Sequence, residues 1–96
     1  MKALYATFTA RPGREQPLAE LVAKLASDVR AEDGCLLFDP FTRTENPRAY
    51  VVFEIYRDDD AFQEHLASLH TRGFNAALSD LIEGAGSTLE WLVPVA

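Results

Sequence analysis

Two histidines and one carboxylate are the residues of this 96-residue chain best suited to chemistry. His65 and His70 are its only histidines, and imidazole is the side chain that takes up and returns a proton most readily near neutral pH. Both follow apolar helical spacings, His65 with Phe62 and Leu69, His70 with Phe74, Ala77 and Leu81. Each is therefore expected on a helix face turned toward a sheet. There it is either a core histidine satisfied by a carbonyl or a water, or a base or binding group in a cavity between helix and sheet. On one continuous helix, five residues separate the two rings by about 140°. They would not share a metal unless the helix broke between them, and no metal site is expected.

Glu54 interrupts the apolar run Tyr50 Val51 Val52 Phe53 Glu54 Ile55 Tyr56. A carboxylate buried there requires a partner. Arg43, Arg57 or a group across a dimer would serve structurally, whereas orienting a histidine or holding a substrate would be a functional role.

The rest of the sequence excludes more than it offers. There is no CxxC, P-loop, HExxH or GxSxG pattern, and Gly84 Ala85 Gly86 lacks the third glycine of a dinucleotide fingerprint and leads into a strand. Net charge is -6 and the 9 Lys and Arg are scattered, so nucleic acid is not an expected partner. The lone cysteine, Cys35, sits in an apolar run that reads as a buried strand. No segment approaches the roughly 20 apolar residues of a membrane span, and the start resembles no signal peptide. Cytoplasmic location and no membrane partner are the resulting expectations.

The elements that must position these residues follow from periodicity. Lys2 to Ala10 alternates as a strand with Leu4, Ala6, Phe8 and Ala10 on one face. From about Arg14 to Glu32, Leu18, Leu21, Val22, Leu25, Ala26 and Val29 recur at helical spacing, with Pro17 in the first turn and Gly34 suited to the C-terminal cap. Cys35 to Thr44 and Ala49 to Arg57 read as a hairpin, with Pro40 marking an edge or a bulge. Asp58, Asp59 and Asp60 open a second helix. A break near Ser68 starts another helical piece carrying Phe74, Ala77, Leu78 and Leu81, and Leu89 to Val95 alternates as a last strand.

Strand, helix, strand, strand, helix, strand in one 1–96 domain predicts an α+β class of ferredoxin-like βαββαβ topology, a four-stranded antiparallel sheet with helices on one face. The uncovered face would expose either Tyr50 and Tyr56 or Phe53 and Trp91, depending on register. Either pair is aromatic enough that a homodimer packed sheet to sheet is expected.

Ala10 Arg11 Pro12 Gly13, then Ala31 Glu32 Asp33 Gly34 Cys35 Leu36, then Phe53 Glu54 followed by Glu64 His65 Leu66 Ala67 Ser68, give the chain a resemblance to the antibiotic biosynthesis monooxygenase family over nearly its whole length. The resemblance implies a dimeric α+β barrel with a cavity between sheet and helices in each subunit. It also implies oxidation of a small quinol or anthrone-like aromatic by molecular oxygen without metal or flavin. In that chemistry His65 is the expected base and Glu54 its orienter, with Tyr56, Phe74 and His70 as cavity walls or donors. The family's heme-degrading members are not matched, because Thr7, His65 and Asn75 stand at their asparagine, tryptophan and axial-histidine positions. Two alternatives remain: a non-catalytic ligand-binding or assembly module, and an isomerase of a small phosphorylated metabolite. For the isomerase, Arg72 is the only nearby phosphate-binding candidate.

Overall fold

The computed structural model describes residues 1–96. Strand β1 (Lys2–Thr9) leads to helix α1 (Glu15–Arg30), then to β2 (Cys35–Arg43), β3 (Asn46–Tyr56), α2 (Asp59–Ala67), α3 (Leu69–Leu78) and β4 (Thr88–Leu92). The sheet is antiparallel throughout, in the order β2-β3-β1-β4. This is the expected α+β, ferredoxin-like arrangement, with the second helix in two pieces.

Period-two alternation decides which face each strand side chain takes. Leu4, Ala6 and Phe8 of β1 and Tyr50, Val52, Glu54 and Tyr56 of β3 are buried beneath the helices. They pack against Leu18, Val22, Leu25, Ala26 and Val29 of α1, with Phe62, Phe74 and Leu78 closing the layer. Phe38, Glu54, Leu4 and Trp91 lie side by side across the four strands. Trp91 therefore points to the helical side, where it meets Phe62 edge-on at 5.2 Å and carries Lys2 over its ring. Neither of the two pairs expected on the open face holds whole, because Tyr50 and Tyr56 are buried and this register parts Trp91 from Phe53. On the open face Phe53 sits between Tyr5 at 5.8 Å and Phe41 at 6.1 Å.

Pro40 is accommodated because β2 is an edge strand. Its register slips between Cys35 and Leu37, which turns Leu36 outward, 60% exposed, and leaves Cys35 half-buried instead of buried. Three other details differ from the periodicity reading. α3 ends at Leu78, so Leu81 falls in the following turn while Ile82 is fully buried and bridges to Ala10. β4 stops at Leu92, and every residue of that edge strand is exposed.

Gly34 does not cap α1, whose C-cap is Ala31. Its φ is not positive, and a Cβ at Gly34 would collide with the Cβ of Ala61. The residue is small because the α1–β2 turn lies directly against the first turn of α2, where the Gly34 carbonyl accepts the Arg57 N–H at 2.8 Å. No helix is long and apolar enough to cross a membrane.

Candidate functional site

The site begins with a helix break. Asp58 caps α2 by accepting the Ala61 N–H at 2.8 Å. Ten residues on, Ser68 ends α2 and starts α3 in an extended conformation, φ -65° and ψ 149°. Its hydroxyl donates to the His65 carbonyl at 2.7 Å and accepts the Thr71 N–H at 3.3 Å. One extended residue thus cancels the angular offset a continuous helix would impose, and the two histidine rings come to 6.5 Å between centroids.

Both rings meet the carboxylate of Glu32. His65 Nδ1 lies 2.9 Å and His70 Nε2 2.5 Å from Oε2 of Glu32. Glu32 reaches them because Gly34 seats its turn on Ala61, and Ala61 and His65 are four residues apart on one face of α2. An ionised carboxylate only accepts hydrogen bonds. His65 therefore carries its proton on Nδ1 and turns the lone pair of Nε2 inward. Nε2 faces Glu54, 3.9 Å away, and the Thr71 hydroxyl stands 3.3 Å from Nδ1.

Glu54 finds neither Arg43 nor Arg57. Arg57 pairs with Asp58 at the surface, and Glu54 Oε1 instead accepts the Tyr56 hydroxyl at 2.7 Å. Burial pushes the Glu54 carboxyl up to about 7, against the lowering effect of the Tyr56 hydrogen bond, with the Glu32 charge adding to the rise. Burial, then the Glu54 charge, raises the Tyr56 phenol well above its ordinary range. For His65, burial lowers the pKa more than the Glu32 hydrogen bond and charge raise it, which favours the neutral imidazole. No buried side-chain nitrogen or oxygen lacks a partner.

A cavity of about 100 Å³ lies between sheet and helices over this group, lined by 16 residues of which 11 are hydrophobic. The sheet contributes Leu4, Ala6, Phe8, Phe38, Val52 and Glu54, α1 contributes Val22 and Leu25, and α2 and α3 contribute Phe62, His65, Thr71, Phe74 and Asn75. The half-exposed Leu66 and Leu89 stand at its mouth.

Of the residues singled out from sequence, His65, Glu54 and Phe74 line the cavity. Tyr56 is fully buried, outside the lining, and meets the site twice, through its hydrogen bond to Glu54 and by packing its ring 4.9 Å from that of His65. His70 is outside the lining, facing a surface groove between α1 and α3, and joins His65 only through Glu32. Arg72 is exposed and outside the lining. Glu32, Thr71 and Asn75 are given no role in the site by the sequence reading. Glu32 looks like one more charge in a solvated turn, and no periodicity marks it. Thr71 and Asn75 are polar residues of a short helix whose cavity face is fixed only by the break at Ser68.

Known proteins share this architecture. Residues 1–77 match the profile of the family described as antibiotic biosynthesis monooxygenase. The protein of Mycobacterium tuberculosis named "Putative monooxygenase Rv0793" is 32% identical over 80 residues, which are 83% of this chain and 78% of that one. The solved structure of Rv0793 superposes with a TM-score of 0.91 at 29% identity, covering 99% of this chain and 95% of that one. The structure of PA3566 from Pseudomonas aeruginosa does so with a TM-score of 0.91 at 28% identity, covering 99% and 94%. With the profile covering most of the chain and the fold matched end to end, the chain belongs to the antibiotic biosynthesis monooxygenase family.

Proposed function

We propose that the protein is a cofactor-independent monooxygenase that oxidises a small quinol with molecular oxygen. The observation that carries this reading is the placement of His65, which lines an apolar cavity with Nδ1 2.9 Å from Glu32 Oε2 and Nε2 turned toward Glu54 on the sheet. Such a base removes a phenolic proton. The quinolate is electron-rich and passes an electron to oxygen, and the apolar walls hold the pair until they combine. One oxygen atom enters the ring and the other leaves as water, giving a hydroxyquinone, so the substrate supplies every electron.

Cavity size favours a single ring over the three rings of an anthrone. An engineered apolar cavity of about 150 Å³ holds one benzene; this one is about 100 Å³ and open at one side, so even a single ring extends into its mouth. A three-ring substrate would require α2 and the β4 edge to separate at Leu66 and Leu89. The phosphosugar isomerase alternative loses its support, because Arg72 offers no charge to the cavity. The aromatic row Tyr5, Phe53 and Phe41 on the open face supports a homodimer packed sheet to sheet.

The test is oxygen uptake by metal-free, flavin-free protein with single-ring quinols, with His65→Ala and Glu32→Gln alongside. Uptake by wild type that falls in both variants is the expected result. Ligand binding with no uptake above the variants' background would replace this reading with the non-catalytic binding module.

A further inference from the structure

We propose that Glu32, His65 and His70 form a binding site for one divalent first-row transition-metal ion, such as zinc. Oε2 of Glu32, Nδ1 of His65 and Nε2 of His70 all lie within 4.8 Å of one another. They come from three separate segments, the α1–β2 turn, α2 and α3, and converge only because Ser68 breaks the helix. Tetrahedral donors at 2.0–2.1 Å from zinc stand about 3.3 Å apart. The observed separations of 2.9 and 2.5 Å are shorter than that, and side-chain rotations that widen them by roughly half to one ångström would let an ion replace the protons that now bridge the three groups.

The donor set selects the ion. Two imidazoles and one carboxylate suit zinc, iron, nickel or copper, whereas magnesium and calcium prefer sites made of oxygen. Entry is available from the groove between α1 and α3, since the His70 side chain is 25% exposed while His65 is 6% exposed. On the inner side the Glu54 carboxyl faces Nε2 of His65 at 3.9 Å. That is where a ligating histidine commonly has a carboxylate to receive its second ring proton.

The site has a consequence for the proposed reaction, and that consequence alone rests on the monooxygenase reading. A neutral imidazole has one free lone pair. An ion on Nδ1 of His65 leaves the ring proton on Nε2, so the base facing the cavity is switched off. Metal binding and proton abstraction are competing uses of one histidine.

The site is tested by equilibrium dialysis of chelator-stripped protein against zinc, with no substrate present. Wild type is expected to bind one zinc per chain, undiminished by millimolar calcium. His70→Ala and Glu32→Gln are expected to weaken it by more than the roughly 10–100-fold that loss of an outer partner costs. His70 is partly exposed, and circular dichroism of its variant checks that the fold is retained. Zinc that calcium displaces, or that both folded variants bind as well as wild type, would place the ion on surface carboxylates and overturn the proposal. Because binding is read without turnover, this result stands apart from the outcome of the oxygen-uptake experiment.

Discussion

Nδ1 of His65 lies 2.9 Å from Oε2 of Glu32, a residue 33 positions earlier in the chain. This contact fixes which ring nitrogen of the cavity histidine is free, and so it decides what the site can do. In chelator-treated protein, Glu32→Gln leaves an uncharged group able to donate as well as accept, and the tautomer is no longer dictated. Turnover with a quinol is expected to fall about 100-fold. Since the Glu32 hydrogen bond and charge raise the His65 pKa, the acid limb of the kcat/KM profile should also move to lower pH. An unchanged profile would show that Glu32 does not act through His65.

Glu54 makes stability depend on pH. Its carboxyl titrates at about 7 in the fold against an ordinary 4.5, so between these values the folded chain holds a proton that the unfolded chain releases. The stabilisation is complete below the unfolded value and lost as pH rises to about 7, a change on the order of 3 kcal/mol. Glu54→Gln keeps an acceptor for the Tyr56 hydroxyl but cannot ionise. Thermal melts of chelator-treated protein from pH 5 to 8 should show the wild type losing stability and the variant holding it, and parallel curves would contradict the assignment.

Gly34→Ala places a methyl against the Ala61 Cβ. Overpacking of that kind costs about 1–3 kcal/mol, and it pushes the turn bearing Glu32 away from His65, so stability and turnover should fall together. Adding Ala61→Gly restores the space. A double-mutant cycle in chemical denaturation should give a coupling of about 1 kcal/mol or more, and simple additivity would show that the contact is not shared.

Phe53 is 40% exposed and lies outside the core, at the centre of the aromatic row on the open sheet face. If that face joins two copies, Phe53→Glu buries an unpaired charge in the interface while leaving the single chain folded. Sedimentation should show wild-type dimers and variant monomers with the same circular dichroism. Equal sedimentation of the two would move the dimer contact elsewhere.

Much of the fold is legible in the sequence because it rests on local periodicity. Alternation groups Leu4, Ala6 and Phe8 on one face of β1 and Tyr50, Val52, Glu54 and Tyr56 on one face of β3, while which face of β3 is buried is decided by the structure. Asp58 and Ser68 announce themselves as caps because a short oxygen-bearing side chain next to an apolar helical run has one favourable use. The positions of Trp91 and Gly34 were not legible. Trp91 takes its side from its pairing with Leu4, and Gly34 is small because of Ala61, 27 residues later.

By itself the sequence determined the element order, the core stripe, the histidines as the candidate bases and the family resemblance, all of which depend on residue type and short-range spacing. Tertiary structure alone decided that Glu32, not Glu54, holds Nδ1 of His65, that His70 shares the same carboxylate oxygen, and that Tyr56 is the partner of Glu54. The physical reason is range. Periodicity and capping act within a few residues, whereas a carboxylate in one turn finds an imidazole 33 residues on only after the sheet has brought α1 and α2 to the same face.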